Sequence, residues 1–454
     1  MATLQPYNKY YPVAYDYVTQ LPDGWQLLPN IAIFQERRER PKNEMELLSV
    51  SISKGVVRQS DMDKKDISSQ DKSNYKVVRI NDIAYGMEFR KGAVGYSNYE
   101  GIVSPVYTVL KPRKNRLVNP KFFHYVFRTE YYKNYIWRNV YGIGEHFLPC
   151  RFTHFKRMYS IVPPLSVQNS IVSYLDKKNE QIDTFIRNKE RLIELLEERK
   201  STIINEAICG RLGYNDTKEK KIVSIINGNE GEFENSKFEW IGKTPRKWHF
   251  KKLPWVSKFQ EGPGLRTWQF TNDGIKVICV TNITEDGIDF SLLTRCISEK
   301  EYKKKYKHFT INKGDYLLAS SGASWGKVAE YTDNETVILN TSTIRFNSAN
   351  EQLYSKKFIK WAMKSRYMAE HLNLLLTGSC QPNFGPSHLQ KLILNIPNID
   401  VQNSIVEFIE SELSEIHKSI KIIQKEISSI KEYREALITD LVTGKRSVPQ
   451  LQLS

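Results

Sequence analysis

The chain has 454 residues, which is enough for two or three domains that each bury a core of their own. Its formal net charge of +16 indicates a polyanionic partner such as nucleic acid, because so large an excess of lysine and arginine repels itself unless something neutralises it. Five scattered cysteines without C-x-x-C spacing argue against a disulfide framework and a zinc ribbon, and the absence of a long apolar run predicts a cytoplasmic chain with no membrane partner.

Short β-prone segments alternate with turns in the first part of the chain. Residues 1–20 have no clear period and predict a short tail. Residues 75–80 and 101–110 are rich in β-branched side chains, and an aromatic-rich segment at about 120–137 predicts a helix. We therefore expect a first globule of mixed sheet and helix.

The sequence Val-Gln-Asn-Ser-Ile-Val occurs twice, at 167–172 and, 234 positions later, at 401–406. The same offset relates Gly210 to Gly444, the two glycines at which long helices are expected to end. Each segment predicts a helix of roughly 42 residues, on the order of 60 Å long at about 1.5 Å per residue. The sequence therefore predicts two rods of equal length.

An apolar seam with a period of 3.5 residues follows both predicted helices. One helix of this length cannot bury such a stripe alone, so we predict that the two helices pack on each other as a coiled coil. Asn179 lies on the first seam, where it either fixes the register of the pair or lies at an exposed end. The seam of the first helix comprises Leu175, Ile182, Ile186, Ile193, Leu196 and Ile203. The seam of the second comprises Ile409, Leu413, Ile416, Ile420, Ile423, Ile427 and Ile430, with Arg434 as an interruption.

A polar segment at 214–239, rich in Asn, Glu, Lys and Gly, predicts a linker after the first long helix. The spacing of Pro22 and Trp25 then returns at Pro245 and Trp248, so the repeat includes more than the helices. A second globule of mixed sheet and helix follows. Its β-prone segments are 277–281, 315–319 and 336–340, and its helical segment is 355–375.

No catalytic motif in the sequence has the full pattern that its chemistry requires. A phosphate loop needs G-x-x-x-x-G-K-[ST], whereas 322–328 has another spacing and no hydroxyl after the lysine. Residues 119–122 have one proline where an amino-methyltransferase needs two. The strongest enzyme alternative is a metal-dependent nuclease, in which Asp289, Glu301 and Lys303 would hold magnesium and activate water. A solvated charged loop accounts for the same residues.

Basic and polar clusters on predicted loops are the candidate DNA contacts. Amides, hydroxyls and lysines bind phosphates, and glutamine and asparagine pair with adenine in the major groove. Each cluster by itself is equally typical of a solvated loop. The candidates in the first globule are Arg90, Lys91, Lys111, Arg113, Lys114 and Arg116. Those in the second globule are Ser320, Ser321, Ser324, Trp325, Lys327, Gln381 and Asn383.

This layout resembles the specificity subunit of type I restriction-modification systems. Both globules open with Pro-x-x-Trp and close with a proline before a long helix that starts near a glutamine. The segment 239–248 matches that family's entry to its second target-recognition domain, and residues 378–383 together with 396–397 match the exit. The first copy lacks the Glu-Trp-Ile-Gly lead-in, and both helices begin with Val-Gln where Glu-Gln is common. The resemblance covers essentially the whole chain.

The resemblance implies a non-catalytic subunit that binds double-stranded DNA, with each globule reading one half of a bipartite, asymmetric target. The paired helices would set the spacing and dock two methyltransferase subunits. S-adenosylmethionine, ATP and magnesium would belong to those subunits and to restriction/translocase subunits, with no cofactor bound by this chain. The alternatives are a self-contained endonuclease or methyltransferase with duplicated recognition domains, and a coiled-coil scaffold whose charge serves solubility.

The predicted fold class is α+β, with two mixed α/β target-recognition domains separated by two long antiparallel helices. These helices form an intramolecular coiled coil, and the whole has a pseudo-twofold internal repeat. The predicted domains are 1–163 (tail and first target-recognition domain), 164–213 (central spacer helix), 214–239 (linker), 240–396 (second target-recognition domain) and 397–454 (C-terminal spacer helix and tail).

Overall fold

Two units, each with its own core, make up the chain. Unit 1 comprises residues 1–189 and 424–454, and unit 2 comprises residues 190–423. Both boundaries cut a long helix, so each unit contains one globule, the start of one long helix and the end of the other. The structure, a computed structural model, describes residues 4–15, 17–52, 54–62, 71–114, 118–140, 150–211, 233–236, 238, 241–376 and 383–449. Within these ranges, no helix has the length and apolar character needed to cross a bilayer.

Unit 1 is built from short strands around a helical pair. Its strands are β1 Tyr10–Tyr15, β2 Val18–Pro22, β3 Gln26–Pro29, β4 Phe34–Glu36, β5 Leu48–Ser51, β6 Gly55–Arg58, β7 Lys76–Val78, β8 Ile83–Tyr85, β9 Val94–Tyr96, β10 Gly101–Val103, β11 Thr108–Pro112 and β12 Tyr159–Val162. Its short helices are α1 Asn30–Ile33, α2 Pro120–Arg128, α3 Glu130–Asn139 and α4 Phe152–Phe155. The long helix α5 spans Leu165–Ile208.

The main sheet of unit 1 is antiparallel, with strand order β4-β11-β8-β9. Helix α2 places its apolar side chains on one face, where Phe123 and Phe127 pack against Phe34 of β4 with ring centroids 5.0 and 6.0 Å apart. Phe155 of α4 joins the same fully buried cluster. Aromatic side chains are therefore a large part of this core, each with a large buried area.

Unit 2 has the same kinds of element. Its strands are β13 Phe233–Asn235, β14 Lys243–Pro245, β15 His249–Lys252, β16 Ser257–Glu261, β17 Phe270–Thr271, β18 Ile275–Ile278, β19 Cys296–Ile297, β20 Thr310–Ile311, β21 Tyr316–Ala319, β22 Val328–Glu330, β23 Val337–Leu339, β24 Thr343–Ser348 and β25 Ile393–Ile396. Its short helices are α6 Leu253–Val256, α7 Glu299–Glu301, α8 Lys356–Lys364, α9 Arg366–Leu375 and α10 Pro386–Leu389. The second long helix, α11, spans Ile399–Val442.

The two globules share one framework although their sequences have diverged. Unit 2 repeats the antiparallel four-stranded sheet as β16-β24-β21-β22, and the pairing of β3 with β12 returns as β15 with β25. Unit 2 also has a five-stranded sheet of order β17-β19-β18-β23-β20, in which β18 and β23 are parallel. Among the described residues, unit 1 has only two-stranded sheets in addition to its main sheet.

Each predicted short helix is in fact two helices. The predicted helix at 120–137 breaks at Thr129, and the one at 355–375 breaks at Ser365. Both residues are buried, and their hydroxyls donate to the carbonyls of Val126 and Ala362 at 2.7 and 2.6 Å. The same oxygens accept an N–H from the first turn of the next helix, so each hydroxyl ends one helix and caps another.

Three further expectations differ from the structure. The predicted tail at 1–20 contains the hairpin β1–β2. The predicted strand at 101–110 is two strands, since the chain turns between Val103 and Thr108. The predicted linker at 214–239 contains strand β13, which pairs with β14, while most of that linker lies outside the described residues. Local β-propensity does not specify which partner strand a segment will find.

The long helices, 44 residues each, run antiparallel within each unit. In unit 1, Asp183 meets Arg434 at 2.5 Å, and further along α5 Lys189 meets Glu426 at 2.6 Å. From the first pair to the second, the residue number rises on α5 and falls on α11, so the two helices are antiparallel. In unit 2, Arg199 lies 3.8 Å from Glu412. Such exposed pairs contribute little energy, so the apolar seam described below provides most of the helix contact.

A glycine ends each long helix against a Pro-x-x-Trp turn. Gly210 has φ +72°, and a Cβ there would lie 2.7 Å from Pro245 and 2.9 Å from Trp248 in unit 2. Gly444 has φ +75°, and a Cβ there would lie 2.7 Å from Pro22 in unit 1. The end of each long helix thus packs on the globule of the other repeat. The left-handed backbone and the close approach both require glycine.

We expect Gly210→Ala to destabilise unit 2 by about 2 kcal/mol, since alanine in the left-handed region is strained and its methyl group would collide with Pro245. Denaturant unfolding of the full chain measures the change. Gly264→Ala is the control, because no atom lies within 4 Å of a Cβ at that position. Equal unfolding midpoints for the two variants would contradict the proposed packing role.

Candidate functional site

The predicted loops of both globules lie at equivalent places in the shared framework. In unit 1, strands β8 and β9 are joined by residues 86–93, and in unit 2 the equivalent strands β21 and β22 are joined by residues 320–327. Each connection contains one 3-10 turn, at Phe89–Lys91 and Gly322–Ser324. We call them hairpin loop 1 and hairpin loop 2. Seven of the thirteen candidate DNA contacts, those at 90–91 and 320–327, thus belong to one repeated feature.

Hairpin loop 1 presents a cation on an exposed aromatic ring. Phe89 is fully buried and anchors the loop. The Arg90 guanidinium lies 4.2 Å from the ring centroid of Trp137 on α3, and Trp137 is 56% exposed. Lys91 is exposed and pairs with Glu88 at 2.7 Å. An arginine held over an exposed aromatic ring has the chemistry that binds a phosphate and packs on a base or sugar. Sequence reasoning did not single out Trp137, because its proximity to Arg90 is tertiary.

Hairpin loop 2 is built around two glycines and a half-buried tryptophan. Gly322 and Gly326 have φ of +66° and +76°, a left-handed backbone that favours glycine at both positions. Trp325 packs edge-on against Phe384 at 5.7 Å, and its Nε1 is buried without a hydrogen-bond partner among the described residues. Ser320 is also buried, and its hydroxyl likewise has no hydrogen-bond partner among the described residues. Buried polar groups without a protein partner usually bond to an ordered water.

The remaining candidates of hairpin loop 2 differ in exposure. Ser324 is buried, whereas Ser321 and Lys327 are half-buried. Lys327 lines a cavity of about 230 Å³ beneath the loop, where Lys364 pairs with Glu285 at 3.1 Å.

A buried aspartate holds the base of each hairpin. Asp82 precedes β8 and accepts two hydrogen bonds from the Arg37 guanidinium, at 2.6 and 2.9 Å. Asp315 precedes β21 and accepts from Asn347 at 2.8 Å and from the backbone N–H of Asn312 at 2.9 Å. Burial raises the pKa of Asp82, and the bonds from Arg37 oppose that rise. These contacts fix the strands that carry the loops.

The other candidates of unit 1 divide between structural and exposed positions. Arg113 donates from its side chain to the Ile31 carbonyl at 2.5 Å, and its backbone N–H donates to Ile33, so it joins β11 to α1. Lys111 is half-buried on β11, and Lys114 is exposed. Arg116 lies outside the described residues.

The glycine-glutamine segment of unit 2 is covered only in part. Asn383 is exposed and precedes the buried Phe384, against which Trp325 packs. Gln381 lies outside the described residues.

The nuclease alternative is not supported by the geometry. Glu301 accepts a hydrogen bond from Gln269 at 2.5 Å, and Lys303 pairs with Glu299 at 2.9 Å. Asp289 is half-buried, and hydrogen bonds from the side chain and the backbone N–H of Ser291 lower the pKa of its carboxyl. Within the described ranges, no group of three or more His, Cys, Asp or Glu side chains is arranged to hold a metal ion.

The helix seam is buried as the spacing predicts. Most of its members are at most 9% exposed, namely Leu175, Ile182, Ile186, Ile203, Ile409, Leu413, Ile416, Ile420, Ile423 and Ile427. Ile193, Leu196 and Ile430 are half-buried. In unit 2, Ile193 and Leu196 of α5 pack against a cluster that contains Leu413, Ile416 and Ile420 of α11. Burial of these side chains accounts for the pairing of the helices in that unit.

A polar cluster interrupts the seam in unit 1. Asn179 Nδ2 donates to the Tyr125 hydroxyl at 3.2 Å, and Tyr125 donates to Asp176 at 2.6 Å. Lys121 completes the cluster with an ion pair to Asp176 at 2.6 Å. Burial and the Asp176 carboxylate raise the pKa of Tyr125. Asn179 thus bonds to helix α2 of the globule, whereas the two alternatives from sequence placed it in the helix register or at an exposed end.

The repeated glutamine of the two helix starts has a structural role that its position in the sequence did not reveal. Gln168 is fully buried, donates to the Pro163 carbonyl at 2.7 Å and accepts the N–H of Asn119 at 2.8 Å. Gln402 is also fully buried, donates to Pro397 at 2.9 Å and accepts the N–H of Ser355 at 2.8 Å.

The two backbone N–H groups that donate to these glutamines belong to N-cap residues. Asn119 caps α2, and Ser355 caps α8. Each glutamine therefore fastens the helical pair of a globule to the start of a long helix. The signal was present in the sequence, because the repeated hexapeptide includes this residue.

Two globules of one fold, each carrying the start of one long helix and the end of another, define an internally duplicated recognition-and-spacer architecture. Residues 31–198 and 245–431 match the family described as the type I restriction modification DNA specificity domain. The matches cover most of the chain, which therefore belongs to this family and contains two copies of its domain. The predicted fold class and resemblance are confirmed.

Individual relatives agree with this assignment. The chain is 24% identical over 381 residues to the type I restriction enzyme MjaVIII specificity subunit of Methanocaldococcus jannaschii, covering 83% of this chain and 81% of that protein. It has the fold of a chain from a study of complex assembly and conformational transition of the type I R-M system, with TM-score 0.67, 12% identity and coverage of 95% and 100%. For the HsdS subunit from Thermoanaerobacter tengcongensis, the TM-score is 0.51, the identity 14% and the coverage 94% and 98%.

We expect Gln402→Ala to destabilise unit 2 by about 1–3 kcal/mol, because it takes the hydrogen-bond partner from the part-buried N–H of Ser355 and from the buried bond to the Pro397 carbonyl. Amide hydrogen exchange at Ser355 should become faster. Gln352→Ala is the control, since Gln352 is exposed in the same unit. Unchanged exchange at Ser355 in Gln402→Ala would rule out the fastening role.

Proposed function

We propose that the chain reads double-stranded DNA as the specificity subunit of a type I restriction-modification complex in the cytoplasm. The observation that carries this proposal is the repeated hairpin loop, which places Arg90 over the exposed ring of Trp137 in one globule and carries the half-buried Trp325 and Lys327 in the other. Phosphates attract the cations, while aromatic rings and loop amides approach bases and sugars. The net charge of +16 favours such a partner.

Each globule reads one half of a bipartite target. The framework around the hairpin loops is shared, but the loops themselves differ in sequence, so the two half-sites differ as well. One globule gives limited discrimination, at roughly 1–3 kcal/mol for each mismatched base pair. Joining two globules through long helices adds their selectivity and makes the spacing part of the recognised sequence.

Catalysis belongs to partner subunits in this proposal. Two methyltransferase subunits dock on the long helices and use S-adenosylmethionine, and restriction/translocase subunits use ATP and magnesium. The engagement of Glu301 and Lys303 by other side chains supports a recognition role for this chain. No separate observation favours a self-contained endonuclease or methyltransferase.

We expect that exchanging residues 22–163 for the first globule of another family member will change one half of the methylated target only. Both ends of this segment suit an exchange, because Pro22 ends β2 and Pro163 follows β12. The incoming globule must keep Trp25 and an N–H at position 119 for Gln168. Sequencing methylated adenines in cells with the exchanged subunit gives the result, and a change in both half-sites would refute independent reading.

Polar substitution of the seam should abolish assembly with methyltransferase subunits. Ile420→Gln in unit 2 and Ile427→Gln in unit 1 each bury an amide among apolar side chains, at a cost of about 2–4 kcal/mol. Size-exclusion chromatography with methyltransferase subunits measures assembly. Ser419→Gln and Ser428→Gln are controls on exposed neighbouring positions. Normal assembly of the isoleucine variants would remove the spacer role from the proposal.

A further inference from the structure

The five-stranded sheet of unit 2 has no described counterpart in unit 1, and it carries an unusual surface. Its first strand, β17, follows a 3-10 turn at Thr267–Gln269 whose central residue, Trp268, is 78% exposed. An indole that remains in water forgoes a large hydrophobic gain on folding. Exposure of so large an apolar side chain marks candidate interaction surfaces.

The turn that carries Trp268 is held in place on both sides. The Gln269 side chain is buried, and its Oε1 accepts the backbone N–H of Arg266 at 2.9 Å. Its amide donates to Glu301 at 2.5 Å and to the Tyr306 hydroxyl at 2.9 Å. The neighbouring Phe270 and Leu265 pack against the core of the five-stranded sheet. Trp268 therefore projects from an anchored turn.

Glu301 and Tyr306, the partners of Gln269, belong to a lysine-rich helical segment. After α7, the chain forms a single π-helical turn at Tyr302–Tyr306 and then a 3-10 turn at Lys307–Phe309. Tyr302, Tyr306 and Phe309 pack against the sheet. The residues between them face solvent, and π-helical turns are frequent at functional sites.

Four lysines of this segment are exposed and have no ion pair within the described residues. Only Lys303 is neutralised, by Glu299 at 2.9 Å. Four unpaired cations on about two turns repel one another, and a polyanion relieves that repulsion. The four unpaired residues are Lys300, Lys304, Lys305 and Lys307.

An ordinary solvated lysine face would account for the charge alone. It does not account for the exposed Trp268. This residue directly precedes Gln269, whose side chain joins the turn to the lysine segment. A cationic surface combined with an exposed aromatic ring is the combination that binds a phosphate backbone and packs against its sugars or bases.

We infer that Trp268 and these four lysines form a second DNA contact of unit 2, separate from hairpin loop 2. The inference rests on the proposed function. The lysines bind phosphates of the double helix, and the Trp268 indole packs against a sugar or base edge next to them. Because all five residues belong to unit 2, the contact serves the second half-site.

The test compares variants of the full chain, assembled with methyltransferase subunits, on a duplex that contains the target. In the lysine variant, Lys300, Lys304, Lys305 and Lys307 are all replaced by glutamine. We expect the slope of log affinity against log salt to become shallower by about 0.9 for each phosphate contact that is lost. Affinity for unrelated duplexes should fall to a similar extent, since phosphates carry no sequence information.

For Trp268→Ala we expect binding to the target to weaken about tenfold or more, in line with one lost stacking contact. Trp268→Phe should recover part of the loss. Trp255→Ala is the matched control, because Trp255 is 73% exposed in the same unit but lies outside the lysine segment. The charge control replaces four other exposed lysines of unit 2 by glutamine, namely Lys243, Lys247, Lys252 and Lys391.

The inference is overturned if the lysine variant has the same salt slope as its charge control, or if Trp268→Ala binds as tightly as Trp255→Ala. Its failure is distinguishable from failure of the proposed function. If the unaltered chain shows no preference for the target duplex over unrelated duplexes, the proposed function fails. If that preference is present and only the variants are unaffected, the second contact alone is wrong.

Discussion

Each globule is closed by the end of a helix that begins in the other half of the repeat. In unit 2, Gly210 packs on Pro245 and Trp248, and in unit 1 Gly444 packs on Pro22 in the same way. This contact constrains the lengths of both helices, because each must end where the turn of the opposite repeat begins. The constant offset of 234 residues between the repeats is the sequence record of that constraint.

The start of each long helix is fixed by a buried amide. Gln168 and Gln402 use both ends of their side chains to join a proline carbonyl to the cap of a helical pair. A polar side chain at such a position is stable only when each of its groups finds a partner. Apolar packing sets how strongly the long helices associate, whereas the glutamines set where each globule is held on them.

The two globules share a framework of strands, but the hairpin loops on that framework differ in sequence. In each unit, two equivalent strands held by a buried aspartate are joined by a hairpin loop. The two globules therefore carry different side chains at equivalent positions of the framework. Recognition of two unlike half-sites then requires no change to the framework. In the proposed second DNA contact, the five-stranded sheet of unit 2 extends this principle, since an addition outside the framework would change one half-site and leave the other unaffected.

The sequence by itself determined the duplication, the equal helices, their apolar seam and the family, because exact repeats and a 3.5-residue period are one-dimensional signals. It also located the loops that carry Arg90 and Trp325. Only the tertiary structure decided that Thr129 and Ser365 each split a helix, that residues 1–20 contain a hairpin, and that Asn179 bonds to Tyr125. It likewise placed Trp137 beneath Arg90 and joined Gln269 to Glu301. The contacts of Asn179, Trp137 and Gln269 join residues far apart in the chain, which local propensity and spacing do not encode.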